Sequence, residues 1–151
     1  MSVLEKILFL LKDTEHVHLK HDFVHRSKDA AGIRGNSIEQ AAKAIILKTE
    51  GGFIQCVLQG HKLIDYKKLK KELCLKKIRL ATEEEVLELT SLKIGSIPPY
   101  GGLFNLKVYV DKDLLDLDYL FFSAGSHYDS VKIKPSDYLR TSNGFLKSFS
   151  K

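Results

Sequence analysis

Lys43 stands between Ala42 and Ala44 at the threshold of an apolar run, within "NSIEQAAKAIILKTEGG". A lysine at the mouth of a core either snorkels its ammonium out to water or is held there for a task. A second candidate is the loop Gly95-Ser96-Ile97-Pro98-Pro99-Tyr100-Gly101. Prolines fix φ and glycines permit close approach, so such a loop can hold backbone amides and carbonyls rigidly against a ligand. It reads equally well as a stiff connector. Gly125, in "FSAGSH", allows a tight bend that would aim His127 into a cleft. Asp111 closes the run "VYVD", where it either hydrogen-bonds a neighbouring loop or caps a strand end.

Other chemistries lack their residues. His16, His18, His21 and His25 match no HExxH or CxxC…HxxxH spacing, and no cysteine lies near them, so no metal site is expected. On a strand His16 and His18 would share one face, with His21 and His25 on the other. No serine sits in a GxSxG elbow, and neither Cys56 nor Cys74 has an activating context. There is no P-loop or dinucleotide fingerprint. An enzyme built on this chain is expected to work without a covalent intermediate or an organic cofactor.

The 151 residues are read as a single domain, 1–151, with residues 1–20 as an N-terminal helical extension. "ILFLL" is too short to span a bilayer and is flanked by charges; it reads as an amphipathic helix with Val3, Leu4, Ile7, Leu8 and Leu11 on one face. Two scattered cysteines suggest reduced thiols in a cytoplasmic protein. The net charge of +5 falls unevenly, with Lys67, Lys68, Lys70, Lys71, Lys76, Lys77 and Arg79 crowded together. That cluster is a solvated helix face or a surface for an anionic partner such as RNA.

These residues need elements to position them. "HVHLKHDFVH" reads as extended chain and "SKDAAGIRG" as a short helix with Ser27 at its N-cap. Ser37 and Gln40 form a capping-box signature for a short helix ending near Lys43. "AIILK" and "FIQCVLQ" read as strands around the turn "TEGG", and "DYKKLKKEL" as a helix begun by Asp65 with Leu69 and Leu73 inward. "KKIRLA" is a strand, and "TEEEVLELT" a helix capped by Thr82. "IGSIPPYGG" is irregular; "LKVYVD", "YLFFSAG" and "SVKIK" are strands; Pro135, Ser136 and Asp137 open a last helical turn through Leu139. No strict βαβ rhythm appears, so the expected fold is α+β: a mixed, barrel-like sheet with helices around it.

The succession "DAAGIRG", "EQAAKAIILK", "KKIRLATEEEVLELT", "IGSIPPYGG", "LKVYVD" and "FSAGSHYDSVKI" resembles the YbaK/prolyl-tRNA synthetase-associated editing domain, from about residue 21 to 139. That resemblance implies a freestanding YbaK-like hydrolase of the ester in mischarged aminoacyl-tRNA, chiefly tRNA for proline. Its partners would be the aminoacyl-tRNA 3′ end and a synthetase. It implies that Lys43 is the signature lysine of the pocket, and that Gly95 and Pro99 frame a loop positioning the terminal adenosine and ester. Ser96, Ile97, Pro98, Gly101 and Gly125 would line the substrate, His127 the amino-acid pocket, and Asp111 the site's edge. Lys43 would then pair with the terminal phosphate, orient the substrate or stabilise charge developing on the carbonyl oxygen. Ser91 and Ser96 depart from the family pattern, standing where glycine or another small residue is usual. A non-catalytic tRNA- or synthetase-binding module is the alternative.

Overall fold

The structure, a computed structural model, describes residues 1–22 and 37–151. The short helix expected over "SKDAAGIRG", with Ser27, lies outside those residues, as does His25.

Helix α1 (Val3–Leu10) begins with a reciprocal capping box between Ser2 and Glu5. It buries Ile7, with Leu11 buried just beyond its end and Val3 and Leu4 packed on the same core. β1 (His16–Lys20) follows. Ser37 and Gln40 form the expected capping box, but over a single 3-10 turn, Ile38–Gln40. β2 (Ala42–Thr49) then begins two residues before "AIILK", so Lys43 lies inside a strand rather than at a helix end. The earlier start follows from pairing: Ala42 and Lys43 face Gln59 and Leu58 of β3 (Gly52–Gln59).

α2 (Tyr66–Leu73) is capped by the Asp65 carboxylate accepting from the Lys68 amide, and buries Leu69. β4 (Ile78–Leu80) pairs antiparallel with β2, placing Arg79 opposite Lys48. α3 (Glu83–Thr90) has a full capping box between Thr82 and Glu85. β5 (Lys107–Asp111), β6 (Leu120–Ser123) and β7 (Asp129–Ile133) are the three expected later strands. The last helix exceeds the expected turn: α4 (Pro135–Ser142) runs on until Asn143 adopts a left-handed conformation, and an unforeseen strand β8 (Phe145–Lys147) follows. Three residues of strand carry too little pattern to be seen without their partner, β5.

The architecture is the mixed α+β one, arranged as two open sheets rather than a closed barrel. One has the order β4-β2-β3-β5-β8, the other β1-β7-β6. The first core fills the space between them, joining Val57, Val108 and Val110 of one sheet to Leu120, Phe122, Val131 and Ile133 of the other. On the far side of the larger sheet, Leu47, Cys56 and Leu58 pack with Leu69 and Phe149. A third cluster joins Ile46 and Val86 to Ile97 and Leu106, anchoring α3 and the 95–101 loop. β3 is buried on both faces, which is why it reads as a largely apolar run without strict alternation.

Candidate active site

The 95–101 loop is held from three directions. α3 delivers the chain into it through Thr90, whose hydroxyl donates to the Val86 carbonyl and accepts from the Leu92 amide. Gly95 turns at φ +97°, a conformation that favours glycine. The amide and hydroxyl of Ser96 both donate to the Lys93 carbonyl, at 3.1 and 2.7 Å. From beneath, Gln55 of β3 spans the loop: its amide nitrogen donates to the Pro98 carbonyl at 3.0 Å, and its oxygen accepts from the Gly101 amide at 2.8 Å. From α4, the Tyr138 hydroxyl donates to the Pro99 carbonyl at 2.7 Å. Burial pushes the Tyr138 hydroxyl well above its ordinary pKa, so it stays a donor. Only the last two residues of "IGSIPPYGG" join regular structure, opening the 3-10 turn Gly101–Phe104.

The third support is the bend between β6 and β7. The Gly125 amide donates to the Ser96 carbonyl at 3.0 Å, and the His127 ring nitrogen Nε2 lies 3.1 Å from the Ile94 carbonyl. In that contact Nε2 carries the proton. Gly125 has φ +89°, and a Cβ there would come within 2.8 Å of Val3 Cγ1. Helix α1 therefore closes over the bend that carries His127.

Beside the loop lies an apolar cavity of about 240 Å³. Gly95, Ile94 and Ile97 form one wall; Ala44 and Ile46 of β2 form another, and Ala81 and Val86 close it. Of the loop residues, Ser96, Pro98, Pro99 and Gly101 are buried and do not line this cavity. Lys43 adjoins Ala44 in sequence and faces Leu58 of β3, and does not itself line this cavity. Its ammonium is half-buried, and burial lowers its pKa. No carboxylate among the described residues pairs with it.

Asp111 ends β5 beside Leu58 of β3, the residue that faces Lys43. Its Oδ1 accepts from the amides of Phe149 and Ser150 at 2.9 and 3.0 Å, and its Oδ2 from the Ser150 hydroxyl and the Asp113 amide. Asp113 in turn pairs with Lys62 at 2.6 Å. The hydrogen bonds of this cluster thus go to the C-terminal tail and Lys62, whereas those of the 95–101 loop bring in Gln55, Tyr138 and Gly125, with His127 on the adjoining Ile94. Cys56, fully buried, has its thiol pushed up to about 12 by desolvation and then by the Asp111 charge, which makes it a poor nucleophile. The histidines in and just after the first strand have partners: His18 pairs with Asp129 at 2.7 Å, His21 with the Ser130 hydroxyl, and His16 with the Thr14 carbonyl.

Sequence reasoning missed Gln55 and Tyr138. Gln55 carried a legible signal, an amide in the middle of the apolar run "FIQCVLQ" that had to find buried partners. Tyr138 carried none, because its partner lies 39 residues away.

A family model described as "Aminoacyl-tRNA editing domain" matches residues 21–141. The chain belongs to the aminoacyl-tRNA editing domain family. It is 31% identical over 134 residues to the multifunctional Ser/Thr-tRNA deacylase ProXp-y of Escherichia coli K12, covering 85% of this chain and 80% of that one. It is 29% identical over 113 residues to a proline–tRNA ligase of Staphylococcus aureus, matching 73% of this chain but 20% of the ligase. Among solved structures, a hypothetical protein superposes with TM-score 0.89 at 22% identity, over 99% of this chain and 100% of the other. One described as a candidate trans-editing enzyme for prolyl tRNA synthetase gives 0.86 at 23% identity, over 100% and 98% of the two chains. At those identities the two structures speak for the fold of the editing domain. No helix among the described residues is long and apolar enough to cross a membrane.

Proposed function

We propose that this editing-domain protein is a cytoplasmic aminoacyl-tRNA deacylase that hydrolyses the ester between a wrongly attached amino acid and the tRNA 3′ end. The observation that carries the reading is the over-determined 95–101 loop. Its carbonyls at Ser96, Pro98 and Pro99 are each tied to a different element, by Gly125, Gln55 and Tyr138. A backbone fixed in this way beside an apolar cavity suits catalysis by positioning, where a bound ester and an attacking water are held in one geometry.

In the proposed reaction water adds to the ester carbonyl carbon, the carbon–oxygen bond to the ribose breaks, and the ribose oxygen takes up the proton. Negative charge develops on the carbonyl oxygen. The amides of Gly95 and Ile97, which donate to no other described residue, are the loop's available donors to it. The half-buried ammonium of Lys43 supplies positive charge to the terminal phosphate or to the oxyanion, reaching from its strand along a four-carbon stem. His127, with its ring held on Ile94, borders the amino-acid side of the site.

The ProXp-y relative, named for Ser- and Thr-tRNA, and the proline–tRNA ligase set the substrates to be offered. Labelled serine, threonine, alanine and cysteine, each on tRNA for proline and on their own tRNAs, would be presented to wild-type and Lys43→Ala protein. The reading requires release of at least one amino acid, reduced at least a hundredfold by the substitution with the fold intact. Retention of every ester, with tRNA still shifted on a gel, would make the chain a binding module.

A further inference from the structure

The family model matches residues 21–141, so helix α1 lies outside the matched segment. The helix nonetheless reaches the candidate site, through the bend between β6 and β7. That bend grips the loop on both sides of Gly95. The Gly125 amide donates to the Ser96 carbonyl at 3.0 Å, and His127 Nε2 donates to the Ile94 carbonyl at 3.1 Å. A peptide unit is planar and these are trans, so each N–H points opposite to the carbonyl of its unit. The Ile94 carbonyl shares a unit with the Gly95 amide, and the Ser96 carbonyl shares one with the Ile97 amide. The two bonds from the bend therefore set the directions of the two amides available to an oxyanion. Gln55 and Tyr138 act at the other end of the loop, on Pro98, Pro99 and Gly101.

Behind the bend stands the first turn of α1. A Cβ at Gly125 would come within 2.8 Å of Val3 Cγ1, 3.0 Å of Val3 Cβ and 3.3 Å of the Leu4 amide nitrogen. The helix therefore rests directly on the Gly125 backbone. Its start is fixed in turn: Ser2 and Glu5 cap each other's amides at 3.1 Å, and Ile7 and Leu11 are buried in the first core.

We propose that α1 is a clamp on the editing site and that Val3 is a positioning residue for deacylation. Val3 seats the Gly125–His127 bend, and the bend aims the Gly95 and Ile97 amides. The proposal rests on the deacylase reading for the reaction that those amides serve. Donors aimed at charge that exists only in the transition state act on kcat and leave substrate binding alone.

The test compares substitutions within α1 by kcat, KM, Tm and hydrogen exchange at the Gly125 amide, which reports the bond to Ser96 without turnover. Val3→Ala, which removes both Cγ atoms from the bend, should lower kcat roughly tenfold with KM unchanged. Exchange at Gly125 should quicken by about the same factor, because the opening of that bond becomes easier. Val3→Ile keeps both Cγ atoms and should restore the wild-type values. Ile7→Val, which trims a buried side chain of the same helix away from Gly125, is the control: Tm should fall while kcat and Gly125 exchange hold. Ser2→Ala takes away the cap and no packing, and should lower kcat in the same direction as Val3→Ala by about two- to threefold, a second reading should Val3→Ala not fold. Unchanged kcat or unchanged Gly125 exchange in folded Val3→Ala protein, or an equal fall of kcat in Ile7→Val, would each overturn the proposal. Faster Gly125 exchange in Val3→Ala, with no ester hydrolysed even by the wild-type protein, would sink the deacylase reading and leave the clamp on the loop standing.

Discussion

Gln55 and Asp111 are both buried polar side chains that reach across the core to tie down backbone, and they serve different parts of the molecule. Gln55 uses one amide to hold both ends of the Pro98–Gly101 turn beside the cavity. Asp111 uses one carboxylate to gather Phe149, Ser150 and Asp113 at the far end of β5. Each satisfies groups whose desolvation would otherwise be unanswered, a cost of about 1–3 kcal/mol per orphaned group. Position relative to the loop, and not residue type, separates a side chain that shapes the candidate site from one that holds the tail.

The sharpest way to break that distinction is to remove Asp111. Asp111→Ala leaves the amides of Phe149, Ser150 and Asp113 without an acceptor and frees Lys62–Asp113 from its neighbour. It should cost about 3 kcal/mol, seen as a lower midpoint in urea and early proteolysis of residues 149–151. Deacylation by the folded fraction should keep its KM and kcat. A selective loss of kcat in stably folded Asp111→Ala protein would return Asp111 to the site's edge, where the family resemblance set it.

Gln55→Leu should show the opposite balance. Stability falls by about 2 kcal/mol, since one carbonyl and one amide lose their partner. The larger signal is expected in kcat, roughly ten- to hundredfold down with KM little changed, because a loosened loop misplaces the ester. Gln55→Met, similar in shape but unable to make either bond, should behave like leucine. Normal kcat in both variants would mean that the loop's rigidity is purely structural.

Lys43 tests the comparison because it has no such bonds among the described residues. Its desolvated ammonium has a lowered pKa, so the charge is lost at a lower pH than for an ordinary lysine near 10.4. If the charge is what the reaction uses, kcat/KM falls as pH rises through that depressed value. Lys43→Arg should move that fall upward, because guanidinium stays protonated. For stability the sign reverses: the folded state binds its proton less tightly than the unfolded chain, so the ammonium is a burden in the pH range where both are charged. Lys43→Met should therefore match or exceed the wild-type Tm while losing activity. A lower Tm would mean that the ammonium is stabilising where it stands.

Much of this was legible beforehand, for reasons that differ residue by residue. Helix starts at Asp65 and Thr82 are local chemistry, where a side chain caps amides three positions on, and they could be read without the fold. The β2–β3 hairpin was legible from its apolar runs. What escaped depends on partners distant in sequence: β8 exists because β5 offers it an edge, and Tyr138 is aimed at Pro99 only once α4 has docked. Asp111 was noticed correctly as a hydrogen-bonding strand end, and the two alternatives read from its position both hold. Gln55 stood in plain view in an apolar run, and its two-ended bond could be named only after the loop was folded over it.

The smallest expected effect concerns Ser91, at the end of α3. It adopts φ +60°, ψ +19°, the left-handed conformation in which its amide donates back to the Leu87 carbonyl. A side chain there costs roughly 1 kcal/mol relative to glycine, while glycine adds about half that in unfolded-chain entropy. Ser91→Gly should thus raise stability by about 0.5 kcal/mol, a Tm gain near the limit of careful calorimetry. The helix end it relaxes leads straight into Lys93, whose carbonyl accepts both bonds from Ser96. If strain at Ser91 were transmitted through Lys93 to the loop, the same substitution would alter kcat. The expected outcome is a change in Tm alone, because Gln55, Tyr138 and Gly125 fix the loop independently of how the chain enters it.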